Sequence, residues 1–139
     1  MPLITVNLRK GTTPDQRRAI SDAVHAAMTD VLKVPADDQF HVFNELDETT
    51  MIYQPVAFGR PRRERLMFIQ LYFNGRSDEV KAQLFAAIVS NLTERAGLSE
   101  DDVALMVVET GRANWWASGR VVDPATGYDE RMTDVPAAG

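Results

Sequence analysis

A chain of 139 residues, 45% of them hydrophobic, is long enough to bury a core and short enough to be one domain. Fifteen Lys and Arg against twenty Asp and Glu leave a net charge of −5, which argues against a nucleic-acid partner for the chain as a whole. The absence of cysteine excludes disulfides, thiolate nucleophiles and cysteine-type zinc sites, and no apolar run approaches the roughly 18 residues that a membrane span requires. The opening stretch PLITVNLRKG is too short and too charged for a secretory signal, so a cytoplasmic location with no membrane partner is expected.

Pro2 directly follows Met1. On one reading it begins an edge strand, where its missing N–H costs nothing. On the other, Met1 is trimmed, as a small second residue allows, and the chain then begins with a secondary amine. A terminal amine titrates at about 7.7–8, so it can act as acid or base near neutral pH.

Alternating Ile4, Val6 and Leu8 predict a half-buried strand. A helix follows, with Thr13 as N-cap, Pro14 at its first position and Gln16 three residues after the cap. Its apolar stripe is Ile20, Ala23, Val24, Ala27, Met28, Val31 and Leu32. A second strand is predicted over about Gln39–Glu45. The same order then recurs: Met67, Ile69 and Leu71 alternate, and Ser77 caps a helix whose first turn carries Asp78 and Glu79, where the helix dipole favours negative charge. Val80, Leu84, Ala87, Ile88 and Leu92 form that helix's stripe, Gly97 is placed to end it, and a strand over about Val103–Val108 closes the series.

A shift of 63 positions lays one half on the other without a gap: Ile4 on Met67, Leu8 on Leu71, Asp15 on Asp78, Ala23 on Ala86 and Asp38 on Asp101. The predicted fold is therefore α+β, a tandem β-α-β repeat whose four-stranded mixed sheet carries both helices on one face. We expect a single domain over 1–139, with halves at about 2–46 and 65–109, a linker over 47–64 that holds a short hairpin, and a tail over 110–139. Adjacent Trp115 and Trp116 in that tail need cover, from a subunit contact or over a pocket, and the turn-rich Asp123-Pro124-Ala125-Thr126-Gly127 follows them.

The β-α-β-β-α-β order is shared with ferredoxin-like domains and does not by itself name a function. Taken together, Pro2, the near-equal halves, V-P-A-D-D at 34–38, N-G-R-S at 74–77 and E-T-G-R-A-N-W at 109–115 resemble the tautomerase superfamily, most closely malonate semialdehyde decarboxylase and its relatives. The resemblance runs from Pro2 to about Arg120. It implies a homotrimer, no metal or organic cofactor, a small-molecule carboxylate substrate and an N-terminal proline as catalytic group. Residue by residue, it places Pro2 on the catalytic proline, Asp38 on an aspartate that positions or activates water, Arg76 on an arginine that binds the substrate carboxylate, and Trp115 on an aromatic wall of the pocket. It also marks a departure: the decarboxylase-like pattern has a second arginine two residues before the one matched by Arg76, and this chain has Asn74 there.

Elementary chemistry is consistent with those roles. Arginine grips a carboxylate through a fixed fork of donors, and Arg76 lies beside a helix start, whose dipole also attracts anions. Asn74 can donate a hydrogen bond but supplies no charge, which leaves the arginines of the basic stretch 60–65 as candidates for a second cation. A charge about 6 Å from the proline amine, at an effective dielectric of about 20, contributes roughly 2.8 kcal/mol, or about two pKa units. Arg76 pushes the amine toward neutrality and Asp38 holds it protonated. A neutral amine removes a proton from carbon and runs a keto–enol tautomerisation; a cationic one polarises a carbonyl, assisting decarboxylation of a 3-oxo acid or addition of water to an activated alkene.

Structural readings stand beside these. Asp38 also suits a turn at strand entry, Arg76 a helix-start surface and the basic stretch a solvated loop. His25 reads as a partly exposed helix residue and His41 as a sheet-face or interface residue. Asp37, Asp38 and His41 would make a metal cluster only with ligands that nothing else supplies. The resemblance implies an enzyme of small oxo acids, with decarboxylation of a 3-oxo acid such as malonate semialdehyde as the leading expectation. Tautomerisation, or hydration and dehalogenation of a small unsaturated acid, is the enzymatic alternative, and a ferredoxin-like binding or regulatory module is the alternative of another class.

Overall fold

The computed structural model describes residues 2–117, 120 and 121; the turn-rich stretch 123–127 and Met1 lie outside the described residues. In chain order it contains β1 (Leu3–Arg9), α1 (Pro14–Leu32), β2 (His41–Leu46), β3 (Val56–Ala57), β4 (Arg60–Pro61), β5 (Met67–Asn74), α2 (Asp78–Ala96) and β6 (Val103–Thr110). The main sheet has the order β2-β1-β5-β6. Strands β1 and β2 are parallel, as are β5 and β6, and the central pair β1 and β5 is antiparallel. Each parallel pair is bridged by its own helix, giving the expected α+β architecture, a β-α-β unit followed by its repeat.

Local chemistry sets the helix ends. The Thr13 hydroxyl accepts a 3.1 Å bond from the Gln16 amide, and Ser77 accepts 3.2 Å from Val80, so each cap satisfies one of the amides that a helix start leaves without an intrahelical partner. Gly97 ends α2 in the left-handed region at φ 67°. Helix α1 ends the same way at Lys33, φ 59°, where no glycine announces it in the sequence. Strand β2 begins at His41, two residues later than expected, after a turn in which the Asp38 amide bonds to Pro35 O at 3.0 Å.

Both helices cover one face of the sheet. Ile4, Val6, Met67, Ile69 and Leu71 interdigitate with Ile20, Val24, Met28, Leu84, Ile88 and Leu92, and all are at most 2% exposed. Each buried Leu, Ile or Val contributes about 1.5–3 kcal/mol, so period-two burial in the strands and the helical stripes are one requirement seen from two sides. The opposite face carries a polar ladder in which Thr5 donates to Gln70 at 2.9 Å, Asn7 to Gln70 at 3.2 Å and Asn44 to Asn7 at 3.0 Å. Val42 and Met106 on that face are 39% and 40% exposed, so half-apolar sheet surface is left uncovered in the single chain.

The linker forms the expected hairpin, β3 against β4. Phe58 and Gly59 at its tip both have positive φ, 52° and 74°, the requirement of a type I′ turn. The basic stretch beyond it is anchored by Arg63, which grips Asp102 through Nε at 3.0 Å and Nη2 at 2.7 Å. Asp102 is 2% exposed, so its charge needs that fork. The pair lies near the Met67↔Val103 end of the sheet, at the far end of β5 from Asn74.

Candidate active site

Strand directions gather the residues singled out above at one edge of the sheet. The start of β1, the segment entering β2, and the C-terminal ends of β5 and β6 all lie there, since β1 opposes β5 at Leu3↔Tyr72 and β5 ends beside β6 at Asn74↔Thr110. Pro2 is buried, in the same alternation that buries Ile4 and Val6. The Ile4↔His41 register brings Pro2 alongside the residues that precede β2, among them Asp38. Asp38 is half-buried, and loss of solvent raises its carboxyl above the ordinary carboxylate range; the amino-terminal charge opposes this, Asp37 adds to it and His25 opposes it.

An open cleft of about 540 Å³ lies at the same edge, lined by Asn74, Gly75, Arg76, Thr110, Gly111, Arg112 and Ala113. Arg76 donates from Nη1 to the main-chain oxygens of Asn74 at 2.8 Å and Gly75 at 3.1 Å, which fixes the guanidinium against the β5 exit. Asn74 Oδ1 accepts from the Thr110 hydroxyl at 3.1 Å, and the Trp115 indole donates to that same hydroxyl at 2.9 Å. Trp115 is half-buried by this tether, whereas Trp116 is 68% exposed. The cleft thus brings Asn74 and Arg76 together; Pro2, Asp38 and Trp115 border the same edge without lining it. A second cleft of about 540 Å³, around Arg9, Lys10, Gly11 and Arg65, sits at the opposite end of the sheet, away from these residues.

Two residues of the cleft, Thr110 and Arg112, were not singled out by sequence reasoning, although both stand inside the E-T-G-R-A-N-W stretch. Arg112 brings a second cation to the cleft, the role for which sequence offers the 60–65 arginines. Among the described residues, no group of three or more His, Cys, Asp or Glu side chains could hold a metal ion, and no helix is long and apolar enough to cross a membrane.

Behind Asp38 lies a histidine pair with ring centroids 6.0 Å apart, His25 and His41. His25 Nε2 is 2.9 Å from Ala36 O. Gln39 donates to Ser21 Oγ at 3.0 Å, and that hydroxyl shares a 2.7 Å hydrogen bond with His41 Nδ1. Burial, and after it the charge of His25, lowers the His41 pKa from 6.5 to about 4 against the opposing effect of Asp22. Between those two values the unfolded chain binds a proton that the folded one refuses, so His41 removes stability as pH falls from 6.5 toward 4. The full difference corresponds to about 3 kcal/mol, reduced to about 2 by the ring's partial exposure to solvent. The raised Asp38 carboxyl works in the opposite sense, relieving a cost as pH falls. His41→Gln is therefore expected to flatten the fall of melting temperature between pH 6.5 and 4; an unchanged slope would show that His41 does not govern it.

Sequence and structure comparisons identify the family and the fold. A family model described as tautomerase enzyme matches residues 38–117, and a second of the same description matches residues 2–60. YusQ of Bacillus subtilis (strain 168), a probable tautomerase, is 26% identical over 122 residues, covering 86% of this chain and 96% of the relative. Among solved structures, a malonate semialdehyde decarboxylase superposes with a TM-score of 0.77 at 28% identity, covering 83% of this chain and 89% of that one. FG41 malonate semialdehyde decarboxylase superposes at 0.76 with 33% identity, covering 83% and 88%. On the strength of the family matches and of the β-α-β repeat that carries them, the chain belongs to the tautomerase superfamily of enzymes, close to the malonate semialdehyde decarboxylase-like proteins.

Proposed function

We propose that the protein acts on a small oxo acid with the Pro2 amine as acid or base, and that decarboxylation of a 3-oxo acid such as malonate semialdehyde is its leading reaction. The observation that carries this reading is the placement of Arg76 and Arg112 on one cleft, at the sheet edge that also holds Pro2 and Asp38. Two guanidinium groups suit a carboxylate, Asp38 holds the amine protonated or positions water, and a cationic amine polarises the carbonyl while carbon dioxide leaves. The C–C bond to the carboxylate breaks and its electron pair becomes the enol double bond as the carbonyl oxygen takes the amine's proton; carbon then takes a proton from water while the enol O–H returns its proton to the amine. Trp115, held by Thr110, walls the site.

A second reading, tautomerisation, is favoured by Asn74. Its neutral amide suits an enol or carbonyl oxygen better than the second ionic grip of a departing carboxylate. The uncovered, half-apolar sheet face supports a homotrimer in which neighbouring copies bury it.

The test is an assay of malonate semialdehyde, phenylenolpyruvate and a 3-haloacrylate side by side on wild type and Arg112→Ala. We expect decarboxylation to dominate and to fall in Arg112→Ala. Turnover of phenylenolpyruvate alone would replace decarboxylation by tautomerisation, and turnover of none would sink the enzymatic assignment of this cleft.

A further inference from the structure

Hydrogen-bond polarity at the cleft determines which end of the Asn74 amide faces the substrate. An indole N–H can only donate, so Thr110 Oγ1, 2.9 Å from Trp115 Nε1, is an acceptor there. The hydroxyl then has one proton left to give, and Asn74 Oδ1 lies 3.1 Å away. An amide oxygen can only accept, so the Thr110 hydroxyl donates to Oδ1 and the NH2 group is directed away from that hydroxyl. The main chain of Asn74 is held as well, since Arg76 Nη1 grips its carbonyl at 2.8 Å. Register explains the pairing: Asn74 and Thr110 are partners at the last step of the β5–β6 ladder, and the β-branched threonine has few χ1 choices from which to reach Asn74. A tight turn in which the Asn114 amide bonds to Gly111 O at 2.9 Å returns the chain so that Trp115 reaches back to Thr110.

We propose that Thr110 is a positioning residue. Its hydroxyl, polarised by Trp115, turns the Asn74 amide so that the NH2 group donates to the substrate's neutral carbonyl or enol oxygen, while the arginines hold the carboxylate. This rests on the oxo-acid reading of the cleft and adds to it the reason one position can be neutral. A flipped amide would turn its own carbonyl to that oxygen and repel it, and it would also leave the Thr110 hydroxyl proton without its acceptor, so the Thr110 bond disfavours that state.

The experiment compares Thr110→Val, which keeps the shape and removes the hydroxyl, with Thr110→Ser, which restores it. In Thr110→Val the indole N–H resonance of Trp115 and the side-chain amide resonances of Asn74 are expected to shift while the indole of Trp116 does not, and KM for the accepted oxo acid is expected to rise about tenfold with a smaller change in kcat. Thr110→Ser should return both resonances and kinetics to wild-type values. Because Thr110 acts through Asn74, Thr110→Val should cost little more when added to Asn74→Ala. Unchanged kinetics in a folded Thr110→Val protein, or losses that add in the double variant, would overturn the proposal. If no oxo acid is turned over, the oxo-acid reading fails, and the positioning claim is decided by the Asn74 amide resonances alone: they must move in Thr110→Val and return in Thr110→Ser.

Discussion

A chain that keeps any residue ahead of Pro2 is expected to lose essentially all turnover, by about a hundredfold to ten-thousandfold, the range contributed by a positioned acid or base. The reason is electronic. A free N-terminal proline carries a secondary amine that titrates near neutral pH; once acylated, the same nitrogen is an amide, whose lone pair is delocalised into the carbonyl and cannot take a proton. Intact mass and activity should be measured on one preparation made without a tag, beside a second with an extra residue placed before Pro2. Full activity in the extended chain would end the amine mechanism, whatever the substrate.

The next largest effect is expected from Arg76→Ala, a fall in kcat/KM of roughly tenfold to more than a hundredfold with the fold intact. Losing a charged hydrogen-bond partner costs about 1.5–3 kcal/mol, and each 1.36 kcal/mol is about tenfold in rate. Arg76 stands at the exit of β5, outside the buried core, and its hydrogen bonds within the chain go to the main-chain oxygens of Asn74 and Gly75. Thermal stability should therefore change little while kinetics change greatly. Arg76→Lys should recover only part of the loss, since an ammonium restores charge but not the planar fork. An alanine variant with unchanged kinetics on every accepted acid would remove Arg76 from the site.

The charge missing at Asn74 shows where local sequence reasoning stops. The four arginines of 60–65 were the obvious reserve, because composition clusters them. Tertiary structure puts Arg63 on the buried carboxylate of Asp102, near the other end of the sheet from the cleft, while a single arginine beyond β6 lines the cleft itself. Clustering along the chain says little about clustering in space when strands run in opposed directions.

What the sequence determined by itself was whatever depends on near neighbours along the chain. Period-two burial at Ile4, Val6 and Leu8, the helical stripes, the caps Thr13 and Ser77 and the stop at Gly97 all follow from side-chain direction and from main-chain amides and carbonyls that need partners. The duplication of that pattern after 63 residues made the sheet and its helical face legible too. Lys33, ending α1 in the left-handed region, escaped because a residue with a Cβ adopts that conformation only when its surroundings compensate the steric cost. Tertiary structure alone decided the pairings between distant residues: Asn74 with Thr110, Thr110 with Trp115, Arg63 with Asp102, and Ser21 with His41. Each depends on strand register or helix placement, and a shift of one residue in register would turn the partners to opposite faces of the sheet.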